Sequence, residues 1–247
     1  MSSYRVGLLV PSSNTTMETE VPEVLRRVAD ATGDRFTFHA NRMRMKTVSE
    51  SELAAMNAYA DRAAGELADA AVDVMAYACL VAIMSQGRGA HRDIEKRLTA
   101  TSAEAGAAVD VVSSAGALVA GLHHMGARKV SLVTPYLKPL TARVVDYIEA
   151  EGIEVQDAIS LEVDDNIAVG RLDENQLPHI ASRLDTRGAD AVVLSACVQM
   201  PSLGAIPATE AALELPVVTA ATATSWQLLS ALGAYAPVPG AGALFKG

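Results

Sequence analysis

Cys79 and Cys197 are the only thiols in this 247-residue chain, and each ends a short apolar run. The first run is Asp73-Val-Met-Ala-Tyr-Ala-Cys79 and the second is Asp190-Ala-Val-Val-Leu-Ser-Ala-Cys197. Such a run reads as a buried parallel strand. Its last residue emerges at the carboxyl edge of the sheet, where open α/β folds bind ligands. Two thiols delivered this way from two halves of a chain can face one cleft. There one thiol can attack a substrate while the other gives or takes a proton on the opposite side.

Other groups belong to the same predicted rim. Pro11-Ser-Ser-Asn14-Thr follows the first strand-like run, and Leu80 and Val81 follow Cys79. Tyr136 follows Pro135, Asn166 lies beyond a run ending near Val163, and Val198 follows Cys197. The rim thus gathers two thiols, two amides and a phenol, with no histidine or glutamate placed as an obligate base. Taken singly, each has a structural explanation. A lone cysteine is a small hydrophobe, Asn14 suits a turn or cap, Tyr136 can be a packed aromatic and Asn166 a loop residue. The matched positions of the two cysteines are what favour chemistry.

Rival motifs are weak. Gly87-Arg-Gly89 lacks the third glycine of a dinucleotide fingerprint, and there is neither a Walker A sequence nor a Gly-x-Ser-x-Gly elbow. No Cys/His cluster has zinc-ligand spacing, and His123-His124 reads as a helix-end or surface pair. The expectation is chemistry without a metal or cofactor.

The elements that must position these groups alternate. Strands are expected over Tyr4–Val10, Arg35–Met43, Val72–Ala78 and Val109–Val112. Helices are expected over Glu18–Val28, from Ser49 or Ser51 to about Ala70, and over His91–Ala105. Pro22 is tolerable only in the first turn of its helix. The pattern then restarts. Lys129-Val-Ser-Leu-Val-Thr-Pro135 echoes Arg5-Val-Gly-Leu-Leu-Val-Pro11. Pro216-Val-Val-Thr-Ala-Ala-Thr-Ala echoes Asp110-Val-Val-Ser-Ser-Ala-Gly-Ala. With the two cysteine runs, this makes three paired elements in the same order. They imply an internal duplication: an α/β chain of two similar lobes, each with a parallel sheet and helices on both faces. The expected division is 1–115 plus about 218–247 for the first lobe and about 116–217 for the second. The Pro/Gly-rich tail from Pro237 is expected to wrap the surface.

Composition narrows the class. Half the chain is hydrophobic but only 4% is aromatic, so Ala, Val, Leu, Ile and Met must build the core. The formal charge of −9 leaves no basic stripe for phosphates and argues against nucleic acid. The local cluster Arg42-Met-Arg44-Met-Lys46 reads as a solvated strand end, or as a source of attraction for anions near a site. No apolar run reaches the roughly 20 residues that span a bilayer, and no leader pattern opens the chain. A cytoplasmic protein without a membrane partner is expected, and a reducing compartment disfavours a disulfide between the two cysteines.

A duplicated α/β chain with one cysteine after the third strand of each half resembles the aspartate/glutamate racemase superfamily. The pieces Val10-Pro-Ser-Ser-Asn14-Thr-Thr-Met-Glu-Thr-Glu20, Tyr77-Ala-Cys79-Leu-Val-Ala, Val133-Thr-Pro-Tyr136, Val163-Asp-Asp-Asn166, Cys197-Val-Gln-Met-Pro-Ser202 and Val238-Pro-Gly-Ala-Gly resemble the maleate cis–trans isomerases. The likeness runs from Val6 to Gly242. It implies two flavodoxin-like lobes related by a pseudo-twofold axis, with the active site in the cleft between them, and a homodimer. It also implies cofactor-independent conversion of maleate to fumarate, with Cys79 as the nucleophile and Cys197 as the second catalytic thiol. Asn14, Tyr136 and Asn166 would bind the substrate carboxylates, aided by the backbone around Leu80, Val81 and Val198.

Chemistry argues in the same direction. Isomerisation must transiently remove the double bond, and thiolate addition to an alkene bearing two carboxylates does so through a succinyl-cysteine. The thiol then needs activation, for which backbone N–H groups at the following helix N-terminus are suited. Three alternatives remain. A two-thiol racemase of an acidic amino acid or hydantoin uses the same pair as acid and base. An arylmalonate decarboxylase-like enzyme needs only one thiol. A non-catalytic ligand-binding α/β protein needs neither.

Overall fold

The computed structural model of the protein describes residues 1–246. The Val- and Leu-rich runs form two four-stranded parallel sheets. The first holds β1 (Ser3–Pro11), β2 (Arg35–Met43), β3 (Val74–Tyr77) and β4 (Asp110–Ser113) in the order β2-β1-β3-β4. The second holds β5 (Lys129–Thr134), β6 (Glu154–Ser160), β7 (Ala191–Ser195) and β8 (Val217–Thr219) in the order β6-β5-β7-β8. The two orders are the same, so the duplication expected from the sequence is a duplication of topology. In each, the chain reverses its direction of winding beside the first strand. That is the switch point at which open sheets of this kind leave a crevice.

The helices are α1 (Met17–Thr32), α2 (Glu50–Asn57), α3 (Ala60–Asp69), α4 (Leu80–Met84), α5 (Ala90–Glu104), α6 (Ser114–His124), α7 (Lys138–Ala150), α8 (Asn166–Val169), α9 (Leu177–Ala181), α10 (Ile206–Leu213) and α11 (Ala220–Ala231). The lobes do not stand apart. After β8 closes the second sheet, α11 crosses back and packs on α1, α6 and the first sheet. At another seam α5 meets α7, where Arg92 pairs with Glu151 at 2.6 Å. The core is continuous across both lobes and is built largely from small aliphatic residues, with Tyr77, Tyr136, Tyr147 and Phe245 its buried aromatics.

The two cysteines leave their sheets in the same way. The Ala78 N–H donates to Leu9 O at 2.8 Å, and the Ala196 N–H donates to Val133 O at 3.0 Å. Each bond extends a ladder by one residue, and the next residue is the cysteine.

Three local expectations need correction. The helix expected from Ser49 to Ala70 is two helices, α2 capped by Ser49 and α3 beginning at Ala60. The break follows buried Asn57, which accepts from the Tyr77 hydroxyl and donates to Ala82 O. Pro22 lies inside α1 beyond its first turn, so the half-exposed Glu18 carbonyl loses its usual donor. The Pro/Gly-rich tail does not simply wrap the surface: Val238, Ala241, Leu244 and Phe245 are buried in it. Gly242, at φ 84°, passes so close to β8 that a Cβ would stand 2.6 Å from the Val217 carbonyl oxygen.

Candidate active site

Each group at the crevice is held by its own local structure. Cys79 occupies the N-cap position of α4, a helix buried along its whole length. Asn14 sits in the turn after β1, where its Oδ1 accepts from the Met17 N–H at 3.0 Å and so caps α1. Among the described residues no group accepts from its Nδ2. Asn166 is the first residue of α8, whose N-cap Asp165 accepts from the Ala168 N–H at 2.7 Å. The Asn166 Nδ2 donates to Ser13 Oγ at 2.8 Å, which ties the second lobe to the first.

One small cavity brings these groups together. Its wall is Pro11, Asn14, Met45, Val48, Cys79, Leu80, Val81, Tyr136, Asn166, Cys197, Val198 and Gln199. All eight site residues expected from the sequence are in that wall. Both cysteines are free and about 5% exposed. The space between these residues, its mouth included, is about 260 Å³, and about 10 Å³ of it admits the centre of a water-sized sphere. That is room for about one water, so in this conformation the cavity is covered and too small for a four-carbon ligand.

The cover is the segment after β2. Ser12 Oγ donates to Met45 O at 3.1 Å and accepts from its N–H at 3.0 Å, while Ser13 Oγ donates to Met45 O at 2.7 Å. Farther along, the Val48 N–H donates to Asp164 O at 3.1 Å, and Thr47 bridges to Asp165. The segment thus spans both lobes and places Met45 and Val48 in the cavity wall with the thiols. A wider, open hollow nearby is lined by Thr15, Thr16, Glu20, Glu23, Arg27 and Glu174 among others, and holds neither thiol. Both thiols lie in the wall of the smaller cavity.

The wall contains no lysine, arginine, histidine, aspartate or glutamate. A ligand carboxylate would meet amides, a phenol and backbone N–H groups. Burial controls ionisation there. It pushes the Cys79 thiol up to about 12, against the Ala82 N–H, which pulls it down. The helix N-terminus expected to activate the thiol is therefore present but outweighed while the cavity is closed. Burial also raises Cys197, with the neighbouring Tyr136 hydroxyl and the Gln199 and Met200 N–H groups acting the other way. Tyr136 is held protonated well above the usual phenol range, again by burial first and then by the two thiols. A charge on Cys197 is felt at Cys79, as expected of thiols sharing one cavity.

Sequence reasoning missed several residues. Met45, Val48 and Gln199 complete the wall, and Arg42 steadies it from outside. The Arg42 guanidinium donates to Ser12 O at 3.1 Å and Asn14 O at 3.0 Å and pairs with Glu18. The basic cluster was thus a usable signal, since its first arginine braces the Asn14 turn. Gln199 lay within a quoted motif but had no assigned role.

Comparison with known proteins places this geometry. The family model described as arylmalonate decarboxylase matches residues 6–245. The maleate isomerase of Alcaligenes faecalis is 57% identical over all of this chain and 98% of its own length. A crystal structure of the Pseudomonas putida S16 maleate isomerase, a cysteine-to-alanine variant with maleate, superposes with a TM-score of 0.98 at 52% identity, covering 99% of this chain and 98% of that one. A cysteine-to-serine variant of the Nocardia farcinica maleate cis–trans isomerase, with a covalently bound succinylcysteine intermediate, superposes at 0.95 with 47% identity over 99% of this chain and 98% of that one. Arylmalonate decarboxylase itself, at 21% identity and a TM-score of 0.73, shares the fold.

Proposed function

The chain belongs with the maleate isomerases, within the arylmalonate decarboxylase family and the aspartate/glutamate racemase superfamily, and we propose that it converts maleate to fumarate through a succinyl-cysteine on Cys79. The observation that carries the reading is the convergence of Cys79, Cys197, Asn14, Tyr136 and Asn166 on one closed cavity free of charged side chains. The succinylcysteine of the Nocardia farcinica variant supports it, because a chain that has lost one cysteine to serine still carries the adduct on another.

The Cys79 sulfur adds to one alkene carbon, and the π pair moves to the neighbouring carbon and into its carboxylate. Cys197, in the same cavity wall, protonates that carbon and takes up the proton that Cys79 gives up. The proton count closes without an outside acid. The former double bond is now single and rotates. Cys197 then returns the proton it took up to the departing Cys79 sulfur and takes the proton back from carbon, which re-forms the alkene in its trans geometry and restores both thiols.

Asn14, through its unpartnered Nδ2, and Asn166 and Tyr136 donate to the carboxylates with help from the backbone around Leu80, Val81 and Val198. Neutral donors in a dry cavity stabilise the growing charge on the far carboxylate without a cation that would hold the product. No cofactor takes part. In this reading the chain divides into 1–115 with about 218–247 and about 116–217, and acts as a cytoplasmic homodimer.

Incubation of the protein with maleate alone, followed by proton NMR, tests the reading: fumarate should accumulate without additions. Absence of fumarate, together with exchange of the α-proton of aspartate or a hydantoin, would transfer the assignment to a racemase.

A further inference from the structure

We propose that Gln199 is a positioning residue that fixes the two carboxylate-binding asparagines, Asn14 and Asn166, with respect to the Cys197 thiol. The inference rests on the proposed function, from which it takes those two side chains as ligands of the dicarboxylate.

The Gln199 side chain is 2% exposed and uses its whole hydrogen-bonding capacity. Its Oε1 accepts from the Thr15 N–H at 2.9 Å and the Thr16 N–H at 3.2 Å. Its Nε2 donates to Ser13 O at 3.2 Å and to Asn166 O at 2.9 Å. Three of these bonds grip the turn on both sides of Asn14, and the fourth grips the backbone of Asn166. The Gln199 N–H points at Cys197 Sγ, 3.4 Å away. One residue therefore joins the first-lobe turn, the second-lobe helix start and the second thiol.

Gly170 supplies an independent observation. Its backbone, at φ −68° and ψ −7°, is an ordinary helical conformation that any residue adopts. Yet a Cβ there would run into the Gln199 amide. The glycine makes room for the amide and is not required by its own turn. A buried amide with four satisfied bonds and a cleared berth holds its partners far more tightly than an apolar contact would. Displacement of a ligand-binding group by about 1 Å can cost a reaction about 100-fold, so the amide acts through the asparagines it holds.

The experiment compares wild type, Gln199→Met and Gly170→Ala. The first change keeps length and bulk but deletes all four bonds, and the second keeps the amide but pushes it aside. Maleate kcat and KM are measured together with the Ki of succinate, which carries the two carboxylates and no alkene. The folded fraction is taken from thermal unfolding. Loosened asparagines should raise KM and the succinate Ki together, about tenfold in Gln199→Met and less in Gly170→Ala, and should lower kcat as well.

A merely structural role lowers kcat with the folded fraction and leaves KM and Ki unchanged; that result, or wild-type constants throughout, overturns the inference. Hydrogen exchange at the Thr15 and Thr16 amides reads the same contact without turnover. Exchange should quicken in Gln199→Met, and unchanged protection overturns the inference even if Gly170→Ala fails to fold. A wild-type protein inactive on maleate sinks the proposed function instead, and the exchange result still decides the positioning.

Discussion

Replacing Cys79 with alanine should flatten the alkaline fall in stability of this protein. In the folded chain burial pushes the Cys79 thiol from 9.0 up to about 12. In the unfolded chain the thiol is ordinary. Between those two values the unfolded chain has released its proton and the folded chain has kept it, so folding binds a proton and stability falls as pH rises. The contribution is fully present below about pH 9 and is lost on the way to pH 12. A gap of about three units corresponds to about 4 kcal/mol in all, of which about 1 kcal/mol is already lost at pH 10.

Urea unfolding of wild type and Cys79→Ala at pH 8 and pH 10 isolates the effect. The cavity left by alanine costs both measurements equally, and Cys197, Tyr77 and Tyr136 are common to the two proteins. Wild type should lose about 1 kcal/mol more than the variant between the two pH values. Equal losses would show that Cys79 titrates normally in the folded chain, and would refute the argument that the closed cavity keeps the nucleophile protonated. That argument matters for catalysis. At pH 7 a thiol at about 12 is ionised in about one molecule in 100,000. In the proposed reaction the Cys79 sulfur is then unmasked by events that follow substrate entry, not stored as a resting thiolate.

Other consequences follow from the same geometry. Asn14→Ala and Asn166→Ala should each raise the maleate KM tenfold or more, as read from initial rates; unchanged KM in both would remove the asparagines from carboxylate binding. Glu20 is buried and accepts from the Ser202 N–H at 2.5 Å and the Leu203 N–H at 2.7 Å, so Glu20→Ala should cost about 2–3 kcal/mol in urea unfolding by orphaning both donors. Activity should survive dialysis against a chelator; loss that added metal restores would contradict a cofactor-free reaction.

The sequence carried the site further than the details of the fold. Cys79 and Cys197 could be placed because a parallel strand has a definite end, and both runs stop two residues beyond their strands. Tyr136 and Asn14 followed from the same rule at β5 and β1. The duplication was readable because the strand runs of the two halves match in order. The split of α2 from α3 was not readable, since an Ala-rich stretch has uniform helix propensity and the break answers a tertiary demand at Asn57. Nor was the cover. Met45 and Val48 look like loop residues until Ser12, Ser13 and Asp164 dock them across the lobes. The burial that raises the thiol was not legible for a related reason: helix position is local and visible in sequence, whereas burial is set by the whole fold. Gln199 escaped because its four partners come from segments more than thirty residues away in sequence.

The most direct test of the account is intact-protein mass spectrometry of Cys197→Ala and Cys79→Ser after mixing with maleate. Cys197→Ala keeps the nucleophile but lacks the thiol that supplies and recovers the proton. It should turn over slowly and gain one maleate mass, which peptide mapping places on Cys79. Cys79→Ser should be almost inactive and gain nothing, because the serine hydroxyl is scarcely ionised and is a poorer nucleophile toward a soft alkene carbon. An adduct on Cys197 in Cys79→Ser, with turnover retained, would reverse the two roles, and full activity in both variants would remove the thiols from the mechanism.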